Sequence, residues 1–264
     1  NTARHIHCLE TKAQQRLGYE KYGKSVVEHL HDLGFLSPRT SCAHCVWLED
    51  KDIELFRKTG TTAVHNALSN IRLGSGIAPV LKFRDRGVNV SFGCDGAASN
   101  DSQNMLEAVK IGSLLHNTTT FEYRRWIKPM QAVEMAARGG ATGVGMGAEL
   151  GAIAVGCRAD MVLYQLENHL SMLPRTDPLG LLLWGRPQAA VRHMWVDGHC
   201  VIRGALPTCV DLDILRETIL RLAPRHQLNP RTSDLREAME ANYRAAMIDE
   251  SQDDGGVAMA KRGL

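Results

Sequence analysis

Along its first 150 or so residues the chain alternates short apolar runs with amphipathic stretches of helical period. Residues 4–9, 41–48, 62–65 and 88–93 are rich in β-branched and small apolar residues. Each run ends in polar or glycine-rich sequence, the pattern of short strands. Between them Val26, Val27, Leu30 and Leu33 recur at helical spacing, with Gly34 as a stop. Asp50 can cap a second helix that carries Ile53 and Phe56 and closes at Gly60, and a third carries Ile77, Val80 and Leu81 as far as Gly87. This alternation predicts a parallel sheet with right-handed crossovers. Two more helices are expected, one over residues 102–116 and one from Pro129, where proline suits a first turn.

From Gly151 the texture changes. Residues 151–166 and 190–202, the latter with a turn at Asp197-Gly198, predict a β-meander or hairpin. Residues 211–222 read as an amphipathic closing helix. The last stretch, 249–264, is polar and glycine-containing and is expected to be disordered. The partition is therefore 1–150, 151–206, 207–248 and a tail at 249–264. Because the chain opens on Asn1 and is strand-like by residue 4, further sequence is expected upstream.

Composition narrows the class without naming it. An apolar fraction of 44% in 264 residues suits a globular protein with a sizeable core. A net charge of +2 gives no reason to expect nucleic acid or an anionic membrane as partner. No run approaches the roughly 18 apolar residues of a membrane span. Seven cysteines, an odd number scattered through strand-like sequence, suit reduced thiols and predict a cytoplasmic setting.

The chemistry gathers at the strand ends. His7, His44 and His65 fall at or near the ends of three runs, and Asp95 follows the fourth. Delivering such residues to one end of a parallel sheet is how barrel enzymes build active sites. By strand parity His5 and His7 share a face, as do Cys42 and His44, and Ser91, Gly93 and Asp95. Glu10 lies three residues after His7 and reaches the same space only if the strand ends near Leu9 and the chain turns over the rim. His5 itself is read as structural. Cys42 and Cys45 form a CxxC with no second pair, and parity places their sulfurs on opposite faces, so the structural reading is preferred. Gly74-Ser75-Gly76 lacks the lysine of a phosphate loop and reads as a turn at the site's mouth.

Five ordered motifs then carry a resemblance covering about residues 4–206. They are His7-Cys8-Leu9-Glu10-Thr11, Ala43-His44-Cys45-Val46-Trp47-Leu48, Val64-His65-Asn66 with Ser69-Asn70, Leu73-Gly74-Ser75-Gly76-Ile77-Ala78-Pro79-Val80, and Gly93-Cys94-Asp95-Gly96-Ala97-Ala98-Ser99-Asn100-Asp101. Together the chain resembles the second half of an amidohydrolase-superfamily enzyme of the chlorohydrolase and aminohydrolase branch. The resemblance implies an α/β fold: strands 5–8 of a TIM-like (β/α)8 metal-dependent hydrolase barrel, plus the C-terminal part of a small β-sandwich.

It also implies roles. His7 and Asp95 would bind one divalent metal, zinc first and Fe2+ second. Glu10 would shuttle protons, and Asp95 would act as general base. His44 would hydrogen-bond the activated water or the substrate, while His65, Asn66 and Ser99 would line the substrate site. Ala67 and Cys94 depart from the branch's usual proline and threonine. The branch's first-strand His-x-His pair has no counterpart, so a complementary half-barrel is expected from the same or another chain, with homo-oligomers common. The activity implied is hydrolytic deamination of a purine, pyrimidine or triazine-type heterocycle. Displacement of chloride or an alkylamine from a triazine, and a non-catalytic scaffold, are the alternatives.

Overall fold

The four apolar runs pair side by side. In the computed structural model, which describes residues 2–185, 190–223, 237–241 and 244–249, β1 (Arg4–Cys8), β2 (Thr40–His44), β3 (Thr62–His65) and β4 (Val90–Phe92) form one parallel sheet in that order. Cys8 lies opposite His44, and His65 opposite Phe92, so neighbouring strands finish nearly level. β2 is buried along its whole length, as an inner strand should be. It is shorter than its apolar run: His44 and Cys45 take positive φ and turn the chain off the strand.

Helices occupy the crossovers. α1 (Lys12–Tyr22) is capped by Thr11, α2 (Val26–Asp32) by a Ser25–Glu28 capping box, and α3 (Asp50–Thr59) ends on left-handed Gly60. α4 (Ala67–Arg72) starts directly after β3. α5 (Val80–Asp85) begins after Pro79, which leaves the expected Ile77 outside the helix. α6 (Ala97–Asn100) follows the loop after β4, and α7 (Met105–Leu114) continues into a 3₁₀ turn, Leu115–Thr118. α8 (Pro129–Glu134) runs through a π-helical stretch, Met135–Gly139, into α9 (Gly140–Gly143). Val27, Ile53, Phe56, Val80, Phe83 and Val90 anchor the apolar layer between helices and sheet.

The second sheet is antiparallel: β5 (Met161–Tyr164), β6 (Val191–Val196), β7 (His199–Arg203) and β8 (Leu206–Pro207), in that order. Asp197 and Gly198 make the β6–β7 turn with positive φ at both positions. Only the last part of the expected 151–166 strand forms, and α10 (Pro178–Trp184) intervenes before β6. α11 (Leu212–Leu222), capped by Asp211, is the expected amphipathic helix, and none of its residues is buried. The expected tail lies outside the described residues apart from Asp249.

Candidate active site

Three strand ends and one loop place the polar residues. β1 stops at Cys8, and Leu9 with φ 48° bends the chain over the sheet's rim. That bend brings Glu10 back, with its Oε2 atom 3.7 Å from His44 Nε2. A carboxylate that parity would send the wrong way is thus returned to the site by one left-handed residue. Asp95, with φ 64°, lies three residues past β4, 3.9 Å from His7 Nε2 and 4.0 Å from His44 Nε2. The His7 and His44 rings meet edge to face at 4.8 Å.

Buried partners hold these groups in place. His44 is fully buried, and its Nδ1 lies 2.8 Å from Asn70 Oδ1, while its Nε2 has no hydrogen-bond partner. Asp95 Oδ2 accepts from Ser69 Oγ at 2.6 Å and from Ser99 Oγ at 2.8 Å. Its backbone carbonyl accepts from Gln103 at 2.9 Å. Burial pushes the Asp95 pKa up, but the Ser69 and Ser99 hydroxyls and the Gly96 amide more than offset it, so the carboxyl lies below its ordinary value. Glu10 Oε1 receives Ser75 Oγ at 3.4 Å, and the Ser75 carbonyl in turn accepts from Trp47 Nε1 at 2.9 Å.

The remaining expected residues divide. Asn66 lines a cavity of about 280 Å³ together with His7, Ser91, Gly93 and Asp95, and its Oδ1 is buried without a partner. Gly93 is required there, because a Cβ would stand 2.3 Å from that oxygen. Ser99 faces Asp95. His65 turns away, pairing Nε2 to Nε2 with His116 at 3.2 Å. His5 donates to or accepts from Ser41 at 2.8 Å. Parity does not extend to Cys45, which lies beyond the end of β2; Cys42 and Cys45 are both buried, and the Cys45 thiol donates to the Cys42 carbonyl. Burial pushes the Cys45 thiol well up, consistent with an inert core cysteine. Ser69, Asn70, Ser75 and Gln103 carried no role in the sequence reading. Ser69, Asn70 and Ser75 nevertheless stand within the third and fourth motifs, the first two one helical turn past Asn66.

The donor set fits a metal. Ligand atoms of His7, His44 and Asp95 lie within 4.8 Å of one another, the one such grouping found among the described residues. A buried imidazole nitrogen without a partner, facing two carboxylates beyond hydrogen-bond range, is a site for a cation. Two nitrogens and a carboxylate suit zinc or ferrous iron.

Residues 1–204 match the amidohydrolase family, and the chain belongs to it. The 5'-deoxyadenosine deaminase of Methanosarcina barkeri is 41% identical over 199 residues, 75% of this chain and 45% of that protein. A zinc-bound adenosine deaminase from Xanthomonas campestris superposes with a TM-score of 0.79 at 26% identity, covering 84% of this chain and 50% of that one. Atrazine chlorohydrolase TrzN from Arthrobacter aurescens, also with zinc, gives 0.78 at 26% identity, covering 84% and 48%. The chain therefore has an amidohydrolase-type α/β fold, and it spans about half the length of the relatives it matches. No described helix is long and apolar enough to cross a membrane.

Proposed function

We propose that the chain carries the second half of the active site of a metal-dependent aminohydrolase that deaminates the adenine ring of a nucleoside such as 5'-deoxyadenosine. The carrying observation is the convergence of His7, His44 and Asp95 within 4.8 Å, with the Glu10 carboxylate 3.7 Å from His44. The 41% identity to a 5'-deoxyadenosine deaminase supports the leaving group and the nucleoside. On this reading β1–β4 are strands 5–8 of a (β/α)8 barrel within residues 1–150. Residues 151–206 form a sandwich segment and 207–248 closing helices. The outer edges of β1 and β4 are where a complementary half would join, from the same or another chain.

His7, His44 and Asp95 would hold the metal, zinc by the precedent of both neighbouring structures. When bound, it supplies Lewis acidity that brings the pKa of a water toward neutrality. An Asp95 carboxylate oxygen accepts the proton of the attacking water, and Ser69 and Ser99 keep that carboxylate ionised and aimed. The Glu10 carboxyl delivers a proton to the ring nitrogen beside the attacked carbon, Asp95 then passes the proton taken from water to the departing amine, and the second proton of that water restores Glu10. Asn66 lines the cavity wall, with its Oδ1 buried and without a partner.

Glu10→Gln is expected to lower turnover of 5'-deoxyadenosine by about 10²–10⁴-fold, the usual worth of a positioned acid–base group, while zinc content is unchanged. Near-normal turnover in that variant removes Glu10 from the mechanism. A second reading, chloride displacement from a triazine, is favoured by the TM-score of 0.78 to the chlorohydrolase. Offering adenosine, 5'-deoxyadenosine and atrazine to the same preparation separates the two.

A further inference from the structure

We infer that Asn70 is a positioning residue that pins the hydrogen of His44 on Nδ1 and leaves Nε2 as the nitrogen available to the site. The inference rests on the role proposed above for His44. Both side chains are buried, and Asn70 Oδ1 sits 2.8 Å from His44 Nδ1. An amide oxygen has no hydrogen to give, so in this orientation the imidazole must donate from Nδ1. The neutral ring then has its lone pair on Nε2, the buried atom without a partner that faces Glu10 at 3.7 Å and Asp95 at 4.0 Å.

The fold keeps Asn70 in place from both sides. Its amide donates to the Asn66 carbonyl at 3.0 Å, and its carbonyl accepts from Ser75 N at 2.9 Å. Its own Nδ2 is buried without a partner, so the side chain is held for one bond only, the one to His44. The preceding residue, Ser69, donates to Asp95. Two adjacent positions in α4 therefore set the state of two site residues, one at the end of β2 and one in the loop after β4. Turning the amide over would place an N–H against Nδ1 and force the hydrogen onto Nε2, closing the lone pair to any cation.

The test is ¹⁵N NMR of the neutral histidine rings of the 264-residue chain without added metal, with His44 assigned by comparison with His44→Gln. An Nδ1–H tautomer is expected. Asn70→Leu, which removes the acceptor at similar volume, is expected to shift His44 toward Nε2–H. It should also weaken binding of zinc alone, read by chelator competition, by about 10–100-fold, the usual effect of losing a partner behind a ligand. Asn70→Asp retains an oxygen acceptor and should keep the tautomer. An Nε2–H tautomer in the unsubstituted chain overturns the inference. So does an unchanged tautomer in Asn70→Leu, or an Asn70→Asp that behaves like leucine. Should Asn70→Leu fail to fold by circular dichroism, the unsubstituted chain and Asn70→Asp decide the matter. Absence of zinc binding in every form, with Nδ1–H retained, overturns the metal reading and leaves the role of Asn70 standing.

Discussion

Behind the site, His65 and His116 lie with their Nε2 atoms 3.2 Å apart, both buried. Two neutral rings can share one hydrogen in this geometry, whereas two cations cannot coexist. Burial, and then Arg84, hold the His116 pKa down at about 4; burial, and then His116, hold His65 well below its ordinary 6.5. Between about 4 and 6.5 the unfolded chain therefore binds more protons than the folded one. The stabilisation is complete above 6.5 and is lost progressively as the pH falls from 6.5 to the folded value of about 4. For His116 alone the loss from pH 7.5 to pH 5 is on the order of 2 kcal/mol. Urea unfolding of the native chain and of His116→Gln at both pH values checks it: the variant should lose less stability on acidification. Equal losses would show that His116 is not titrating against burial.

At the scale of elements, much of the strand–helix order was readable because each crossover helix with a strong apolar face announced itself. Ile53 and Phe56 are both buried on α3, and Gly60 ends it in the left-handed region as its position predicts. α1 was not readable, since Gly18 is its one buried residue and its apolar stripe is thin. A Cβ at Gly18 would meet Val26 Cγ2 at 2.6 Å, so that helix is seated by close approach to α2 rather than by large side chains. The extra residues assigned to β2 were lost to two left-handed residues that an apolar run does not reveal. The same limit applies to the site: His7, Glu10, His44, Asn66 and Asp95 stood out as polar residues at strand ends, whereas Ser69 and Asn70 act through tertiary contacts. The junction of the π-helical stretch with α9 offers a matched test. A Cβ at Gly139 would stand 2.3 Å from the Val90 carbonyl oxygen, while at Gly140 nothing lies within 4 Å. Gly139→Ala is expected to cost about 1–3 kcal/mol, by forcing backbone apart at β4. Gly140→Ala should gain up to about 1 kcal/mol from helix propensity. Chemical denaturation of the two variants separates them, and similar effects would mean the helix does not press on β4 as described.

For the whole molecule, the parallel sheet ends in two outer strands, β1 and β4, and His7 at the end of β1 is more than half exposed, at 56% of its side chain. The site is therefore open to solvent on the His7 side. Three donor groups converge in the folded chain, so zinc should engage it and not the unfolded one. At one hundred times its dissociation constant zinc is expected to add about 2.7 kcal/mol to the unfolding free energy. Thermal unfolding with zinc and with chelator measures this, and His7→Ala should abolish the gain. A gain that survives the substitution would place the metal elsewhere.

Leu9, His44, Cys45 and Asp95 all hold positive φ, among seven such non-glycine residues in the described part of the chain. Glycine at any of them would relax the backbone, by roughly 1 kcal/mol or more for the bulkier side chains. Leu9, His44 and Cys45 are also buried, so glycine there would leave a cavity whose cost exceeds that relief. The strained turns at His44 and Asp95 thus stand where two of the three converging donors sit, and the one at Leu9 is the bend that returns Glu10 to them.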